Sequence, residues 1–135
     1  MRRAFVLLAT LTLTSLNACE LFTGPEGLTM HVQGTVTAAD EGWPMAGALV
    51  EFRRCETESI ISCTWRTVDS STTDAKGHYS LSYFEEGYCG DTFLGLVATA
   101  QGFSRRFIGI TQDPHLTCTE ELQTIDIQLV HLEAV

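Results

Sequence analysis

The sequence predicts an all-β protein, a single antiparallel sandwich of seven short strands. Apolar and polar residues alternate with a period of two along most of the chain. Glycine, proline and aspartate residues interrupt this alternation at fairly regular intervals, as turns between strands do. No stretch of useful length has an apolar stripe of period 3.6, and the 135 residues suffice for one domain.

The strands follow one another along the chain with short turns between them. Asp40, Gly42 and Pro44 interrupt the alternation after the first strand, and a DAKG turn sequence with Gly77 closes a hairpin. The fifth strand is almost continuously apolar, as expected of a central strand. The seven predicted strands cover residues 30–36, 48–53, 64–73, 79–83, 93–100, 103–111 and 125–129.

The first eighteen residues are predicted to be an export signal that is cleaved off. Arg2 and Arg3 precede an apolar run over residues 4–13, which is too short to span a bilayer. Residues 16–19, with the sequence LNAC, resemble the bacterial lipobox. This resemblance implies cleavage before Cys19, a lipid on its sulfur, and membrane attachment through that lipid. Glu20 then favours the outer membrane, so we expect an envelope lipoprotein with residues 19–28 as its tether and 29–132 as its domain.

The charge of the chain excludes one class of partner. The whole sequence has 17 acidic and 8 basic residues, a net charge of −9, and loss of Arg2 and Arg3 takes it to −11. Nucleic-acid binding requires clustered cations, so we expect no nucleic-acid partner.

The cysteines support an oxidising compartment. Once Cys19 is lipidated, four cysteines remain, and an even number in an exported chain predicts two disulfides. Their spacing lacks the close pairs of a four-thiolate zinc site, so we expect no metal. Four cysteines allow three pairings, of which we favour Cys55–Cys63 and Cys89–Cys118.

Four segments together are similar to the carboxypeptidase regulatory-like domain, a transthyretin-like sandwich. They are residues 32–36 (VQGTV), 44–50 (PMAGALV), 73–81 (TDAKGHYSL) and 98–103 (ATAQGF). The resemblance covers residues 29–131 and implies a Greek-key sandwich. It implies little about function, because its glycines serve turns and its apolar residues serve the core.

Enzymes on related sandwiches provide an alternative that the sequence does not favour. The hydroxyisourate hydrolase of this fold has a C-terminal YRGS motif, which this chain lacks. Intradiol dioxygenases hold ferric iron with two tyrosines and two histidines, but the spacing of the histidines here does not resemble theirs. We therefore expect no catalytic residues and no cofactor. The histidines that such an enzyme would have to bring together are His31, His78, His115 and His131.

If successive strands alternate in direction, the Trp43, Asp74 and Gly102 loops lie at the end away from the lipid. Trp43 either is exposed there to bind a sugar or a partner, or folds onto the edge of the sandwich. The acids Asp40, Glu41 and Asp74 lie near the same end, where solvated charge is favoured over a calcium site.

The sequence therefore predicts a non-catalytic envelope lipoprotein that acts as a binding or scaffolding module. We expect the partner to be an envelope protein or a glycan. A carbohydrate-binding module is the first alternative, and an exposed aromatic platform with Trp43 or Trp65 would favour it. A small hydrolase or metal-dependent enzyme is the second alternative, and it requires histidines that converge in one pocket.

Overall fold

The computed structural model describes residues 27–56, 63–86, 94–109 and 116–133. These residues form strands and turns, with no helix among them, which confirms the predicted all-β fold. No helix in this part of the chain is long and apolar enough to span a bilayer. The strands are β1 (Gly27–Ala38), β2 (Leu49–Cys55), β3 (Trp65–Thr72), β4 (His78–Glu86), β5 (Leu94–Thr99), β6 (Arg106–Gly109), β7 (Leu122–Thr124) and β8 (Ile127–Leu129).

The strands form the two sheets of a sandwich. In the first sheet β1 pairs with β4 on one side and with β7 and then β8 on the other, and the second sheet has the order β3-β2-β5-β6. The end of the chain differs from the sequence-based expectation. The strand predicted over residues 125–129 is shortened to β8, and β7 precedes it as a strand that was not predicted, so the described residues contain eight strands. Both β7 and β8 pair with β1 in parallel.

The core lies between the two sheets and follows from the alternation of each strand. Met30, Val32 and Val36 of β1 point inward and are fully buried, and Phe52 of β2 in the other sheet belongs to the same buried cluster. Burial of each such side chain contributes about 1.5–3 kcal/mol relative to exposure. β5 is buried along five of its six residues, in agreement with the central position predicted for it.

The directions of the strands place three loops at one end of the sandwich. The loops over residues 39–48, 73–77 and 100–105 share this end, together with the segment that follows β8. Val36 at the end of β1 joins two of them, because its amide donates to Gly77 at 2.9 Å and its carbonyl accepts from Met45 at 2.9 Å. The chain enters β1 at the opposite end, as the sequence predicted.

One of the two predicted disulfides is present as expected. Cys55 and Cys63 are bonded, with their Cα atoms 5.5 Å apart, and they close the segment between β2 and β3. Cys118 is disulfide-bonded as well. The predicted partner Cys89, the lipid site Cys19, the export signal and the tether up to residue 26 lie outside the described residues.

Candidate functional site

The shared loop end carries a cluster of aromatic and charged side chains. We name Glu41, Trp43, Phe103 and His131 the loop-end cluster. They come from two loops and from the segment after β8, and ring contacts and a hydrogen-bonded pair connect them. The sequence placed Trp43 and Glu41 at this end, and the structure adds the other two.

A tight turn after β1 holds Trp43 in place. The amide of Gly42 donates to the Ala38 carbonyl at 2.8 Å, and the amide of Ala38 donates to the Trp43 carbonyl at 3.1 Å. Gly42 has a φ of 71°, which a residue with a side chain rarely adopts. Pro44 then pairs with Thr37 through an isolated bridge. The backbone of Trp43 is therefore fixed at the end of β1, while its side chain remains 44% exposed.

The ring of Phe103 packs against the indole of Trp43. Its ring centroid lies 6.2 Å from that of Trp43, with the planes at 81°, which is the favoured edge-to-face arrangement. On its other side Phe103 packs against His131, with the ring centroids 4.2 Å apart and the planes at 32°. The two backbones are held together because the amide of Leu132 donates to the Gly102 carbonyl at 2.9 Å. The indole of Trp43 is thus supported by the Phe103–His131 ring pair.

Glu41 completes the cluster through a side-chain contact with His131. Both of its carboxylate oxygens lie 3.1 Å from Nε2 of His131. The two side chains are 46% and 44% exposed, so a partner can reach them. A partly exposed acid, an imidazole and an exposed indole therefore share one surface.

The other two acidic candidates are not part of this cluster. Asp40 is exposed in the same turn as Glu41. Asp74 begins the turn before β4, and its Oδ1 accepts hydrogen bonds from the amides of Lys76 and His78, both at 2.9 Å. The His78 amide above all lowers the pKa of Asp74 below its usual 3.8. The Asp74 carboxylate thus binds the backbone amides of its own turn and stabilises that turn.

The described histidines lie at three separate places. His31 is on the outer face of β1, His78 is beside Asp74 with 3.8 Å between Nδ1 and Oδ2, and His131 belongs to the loop-end cluster. His115 lies outside the described residues. Among the residues that the structure describes, no group of three or more histidines, cysteines or acids could hold a metal ion.

The second tryptophan lies on a different surface. Trp65 begins β3 and packs against Phe107 of β6, with the ring centroids 5.2 Å apart. The two tryptophans are therefore each exposed and each supported by a phenylalanine, but they do not form one platform.

Sequence reasoning missed Phe103 and His131. The Gln101-Gly102 turn was assigned to the same end as Trp43, so a contact between Phe103 and Trp43 could have been inferred from the predicted strand directions. His131 gave no such signal, since its position depends on the parallel pairing of β8 with β1.

Comparisons with known proteins identify the fold and no family. Neither a model of a protein family nor a curated protein matches the sequence. The resemblance to the carboxypeptidase regulatory-like domain is therefore not confirmed. Solved structures do match the architecture, which places the protein in the class of β-sandwich domains.

Three of these structures illustrate the similarity. Catechol 1,2-dioxygenase from Pseudomonas arvilla C-1 matches with a TM-score of 0.54 and 17% identity, over 84% of this chain and 55% of that chain. 3-Chlorocatechol 1,2-dioxygenase from Rhodococcus opacus 1CP matches with 0.53 and 14%, over 82% and 62%. The full-length major pilin SpaD from Corynebacterium diphtheriae matches with 0.51 and 17%, over 78% and 31%. The chain spans less than two thirds of each of these proteins, and at such identities the likeness is one of fold alone.

Proposed function

We propose that the protein is a non-catalytic binding module of the bacterial cell envelope, anchored through a lipid on Cys19. It binds a protein partner through the loop-end cluster. The observation that carries this proposal is the exposure of Trp43, whose indole packs against the Phe103–His131 ring pair. The lipobox-like residues before Cys19 support the lipid anchor and the location in the cell envelope.

An exposed tryptophan on a rigid support has the properties of an interface anchor. Tryptophan is enriched among the few residues that dominate binding energy, because one ring brings a large apolar area and one hydrogen-bond donor. Binding costs less when the anchor is already held in position. Phe103 and the turn at Gly42 provide that position before any partner arrives.

Glu41 and His131, the two polar members of the cluster, favour a polar rim around this anchor. Glu41 and His131 lie beside the aromatic rings and keep much of their surface in solvent. Charges at the rim of an interface contribute mainly to orientation and to the rate of association. A partner with an apolar pocket bordered by hydrogen-bonding groups fits this surface.

The position of the cluster agrees with a membrane anchor at the N-terminus. β1 runs from its first residue to the loop end over twelve residues, about 35–40 Å at the usual rise of a strand. The loop-end cluster therefore faces away from the point at which the chain enters the sandwich. With a lipid on Cys19, this surface points away from the membrane.

Cross-linking in the native envelope tests the proposal. The full-length protein is compared with Trp43→Ala, with Cys19→Ala, and with Trp65→Ala as a control that removes an exposed tryptophan from another surface. We expect one protein to cross-link to the wild type and to Trp65→Ala, and to be lost with Trp43→Ala. Cys19→Ala should leave the membrane fraction. Equal recovery of the same proteins by wild type and Trp43→Ala would contradict the proposed surface, and unchanged fractionation of Cys19→Ala would contradict the anchor.

A further inference from the structure

Two aromatic rings meet on the outer face of the second sheet. Trp65 belongs to β3 and Phe107 to β6, the two edge strands of the order β3-β2-β5-β6. The three gaps between these strands amount to about 14 Å. The ring centroids are nevertheless only 5.2 Å apart, with the planes at 64°. Both side chains therefore lean inward over the middle of the sheet.

Glycine residues make room for this arrangement. A Cβ atom on Gly95 would lie 2.5 Å from the Phe107 ring, and one on Gly109 would lie 3.1 Å from it. These two glycines face each other in the register of β5 and β6. The Phe107 ring consequently rests directly on the backbone, where any larger residue would displace it.

The Trp65–Phe107 pair lies on the surface of the protein and does not extend the core. Leu96 and Ala98 of β5 point into the core between the sheets, and Val97 between them faces outward, opposite Phe107. Val97 is fully buried even so. Trp65 and Phe107 each remain 37% exposed. Apolar ring surface is thus held against the outer face of the sheet and open to solvent.

Polar side chains that are hydrogen-bonded to one another lie on the same face of the sheet as Trp65 and Phe107. In the register of the sheet Arg53 lies between Thr67 of β3 and Gly95 of β5. Its Nη2 donates to Oε2 of Glu51 at 2.7 Å, and the hydroxyl of Thr67 donates to Oε1 of Glu51 at 3.0 Å. A guanidinium, a carboxylate and a hydroxyl are therefore held in defined positions on the same face of the sheet as the aromatic pair, with the side chains of Arg53 and Glu51 22% and 16% exposed.

From this face we infer a second binding site, for a pyranose unit of a neutral polysaccharide. The apolar C–H face of a sugar ring packs on an aromatic ring, and its hydroxyls exchange hydrogen bonds with planar guanidinium and carboxylate groups. The charges of Arg53 and Glu51 compensate each other, which matches a neutral ligand better than an anionic one. The site goes beyond the proposed function, because it lies away from the loop-end cluster and leaves that cluster free for a protein.

Affinity electrophoresis of the purified, oxidised protein tests this inference. The probes are hydroxyethylcellulose and glycol chitin, two soluble polymers of β-1,4-linked pyranoses, and alginate is the anionic comparison. We expect one of the two pyranose polymers to retard the wild type. Trp65→Ala should weaken that retardation about tenfold or more. Trp43→Ala should leave it unchanged, and Trp65→Phe should restore most of it.

Several results would overturn the inference. They are no retardation of the wild type by either pyranose polymer, retardation by alginate alone, and equal weakening by Trp43→Ala and Trp65→Ala.

Gly95→Ala provides a second variant that should also weaken the retardation, since its Cβ would displace the Phe107 ring without removing either aromatic residue. Loss of protein cross-linking with Trp43→Ala, together with unchanged polysaccharide binding, would separate this site from the proposed function.

Discussion

Tyr79 shows how one side chain connects distant parts of the first sheet. It is buried, and its hydroxyl donates to the Ile125 carbonyl at 2.6 Å. The ring crosses Gly34, its partner in the register of β1 and β4, where a Cβ would overlap the same carbonyl. Burial above all, and the charge of Asp126 in addition, raises the pKa of Tyr79 well above its usual value of 10.

We expect Tyr79→Phe to lower the free energy of unfolding by about 1–2 kcal/mol at pH 7, because a buried carbonyl loses its donor. Only the protonated hydroxyl donates, and its pKa is higher in the folded state. The contribution of Tyr79 is therefore complete below the unfolded pKa of about 10 and declines as the pH rises above it. The difference between wild type and Tyr79→Phe should narrow above that pH. Urea unfolding of both proteins at pH 7 and above pH 10 measures this difference in unfolding free energy.

Ser80→Ala provides the control for this prediction, since it changes a solvent-facing residue of the same strand. It should unfold like the wild type at both pH values. Wild-type stability for Tyr79→Phe at pH 7 would show that the hydrogen bond to Ile125 contributes nothing.

At the scale of elements, β3 and β4 protect each other's edges. Each lies at the edge of its own sheet, and side chains of β3 accept hydrogen bonds from the backbone of β4. Oδ2 of Asp69 accepts from the Ser82 amide at 2.9 Å, and Oγ of Ser71 accepts from the Ser80 amide at 3.4 Å. Unpaired edge amides promote pairing with other chains, so these contacts favour a monomeric sandwich.

We expect Asp69→Ala to lower the free energy of unfolding by about 1 kcal/mol and to increase self-association, because the Ser82 amide loses its acceptor. Asp69→Asn retains a carbonyl oxygen at the same place and should remain close to the wild type. Urea unfolding and sedimentation velocity measure the two effects. Identical behaviour of the alanine and asparagine variants would contradict the protective role of this contact.

Seven of the eight described strands could be predicted from the sequence, but β7 (Leu122–Thr124) and the neighbours of each strand could not. A period of two specifies which face of a strand is buried and does not specify which strand lies beside it. The parallel pairing of β7 and β8 with β1 was missed for this reason. The break between β7 and β8 arises from contacts with β1: the Ile125 amide donates to the Gln33 carbonyl at 2.8 Å, and Asp126 accepts from the Thr35 amide at 3.0 Å.

The candidate site was predictable to a similar extent. Trp43 and Glu41 stood out because an aromatic and an acid share one turn. Phe103 and His131 lie far along the chain and join them only through the tertiary fold. Asp74 was singled out for its charge, but the local chain explains it, since two amides of its own turn bind the carboxylate.

At the scale of the whole molecule, the two ends of the sandwich are stabilised differently. Hydrogen bonds between loops hold the loop end, and a disulfide between Cys55 and Cys63 closes the segment at the opposite end. Cys118 is also disulfide-bonded. A small domain with a limited core gains a considerable fraction of its stability from such bonds.

We expect the double variant Cys55→Ser with Cys63→Ser to lose about 2 kcal/mol of unfolding free energy, since a short loop loses its constraint. Reduced wild type should lose more, because reduction also breaks the bond of Cys118. Urea unfolding of the oxidised wild type, the double variant and the reduced wild type measures their order of stability. Cross-linking at the loop-end cluster should persist in the double variant, and a variant as stable as the oxidised wild type would contradict the expected contribution of the bond.

The position of β1 has a consequence for the order of events during synthesis. β1 is the first strand among the described residues and lies inside its sheet, with β4 on one side and the late strands β7 and β8 on the other. One flank of β1 therefore stays open until residues 122–129 have been made, so the native sheet closes only when synthesis is nearly finished. A chain that ends before residue 122 would leave that flank open to pairing with other polypeptides, and so would be prone to aggregate.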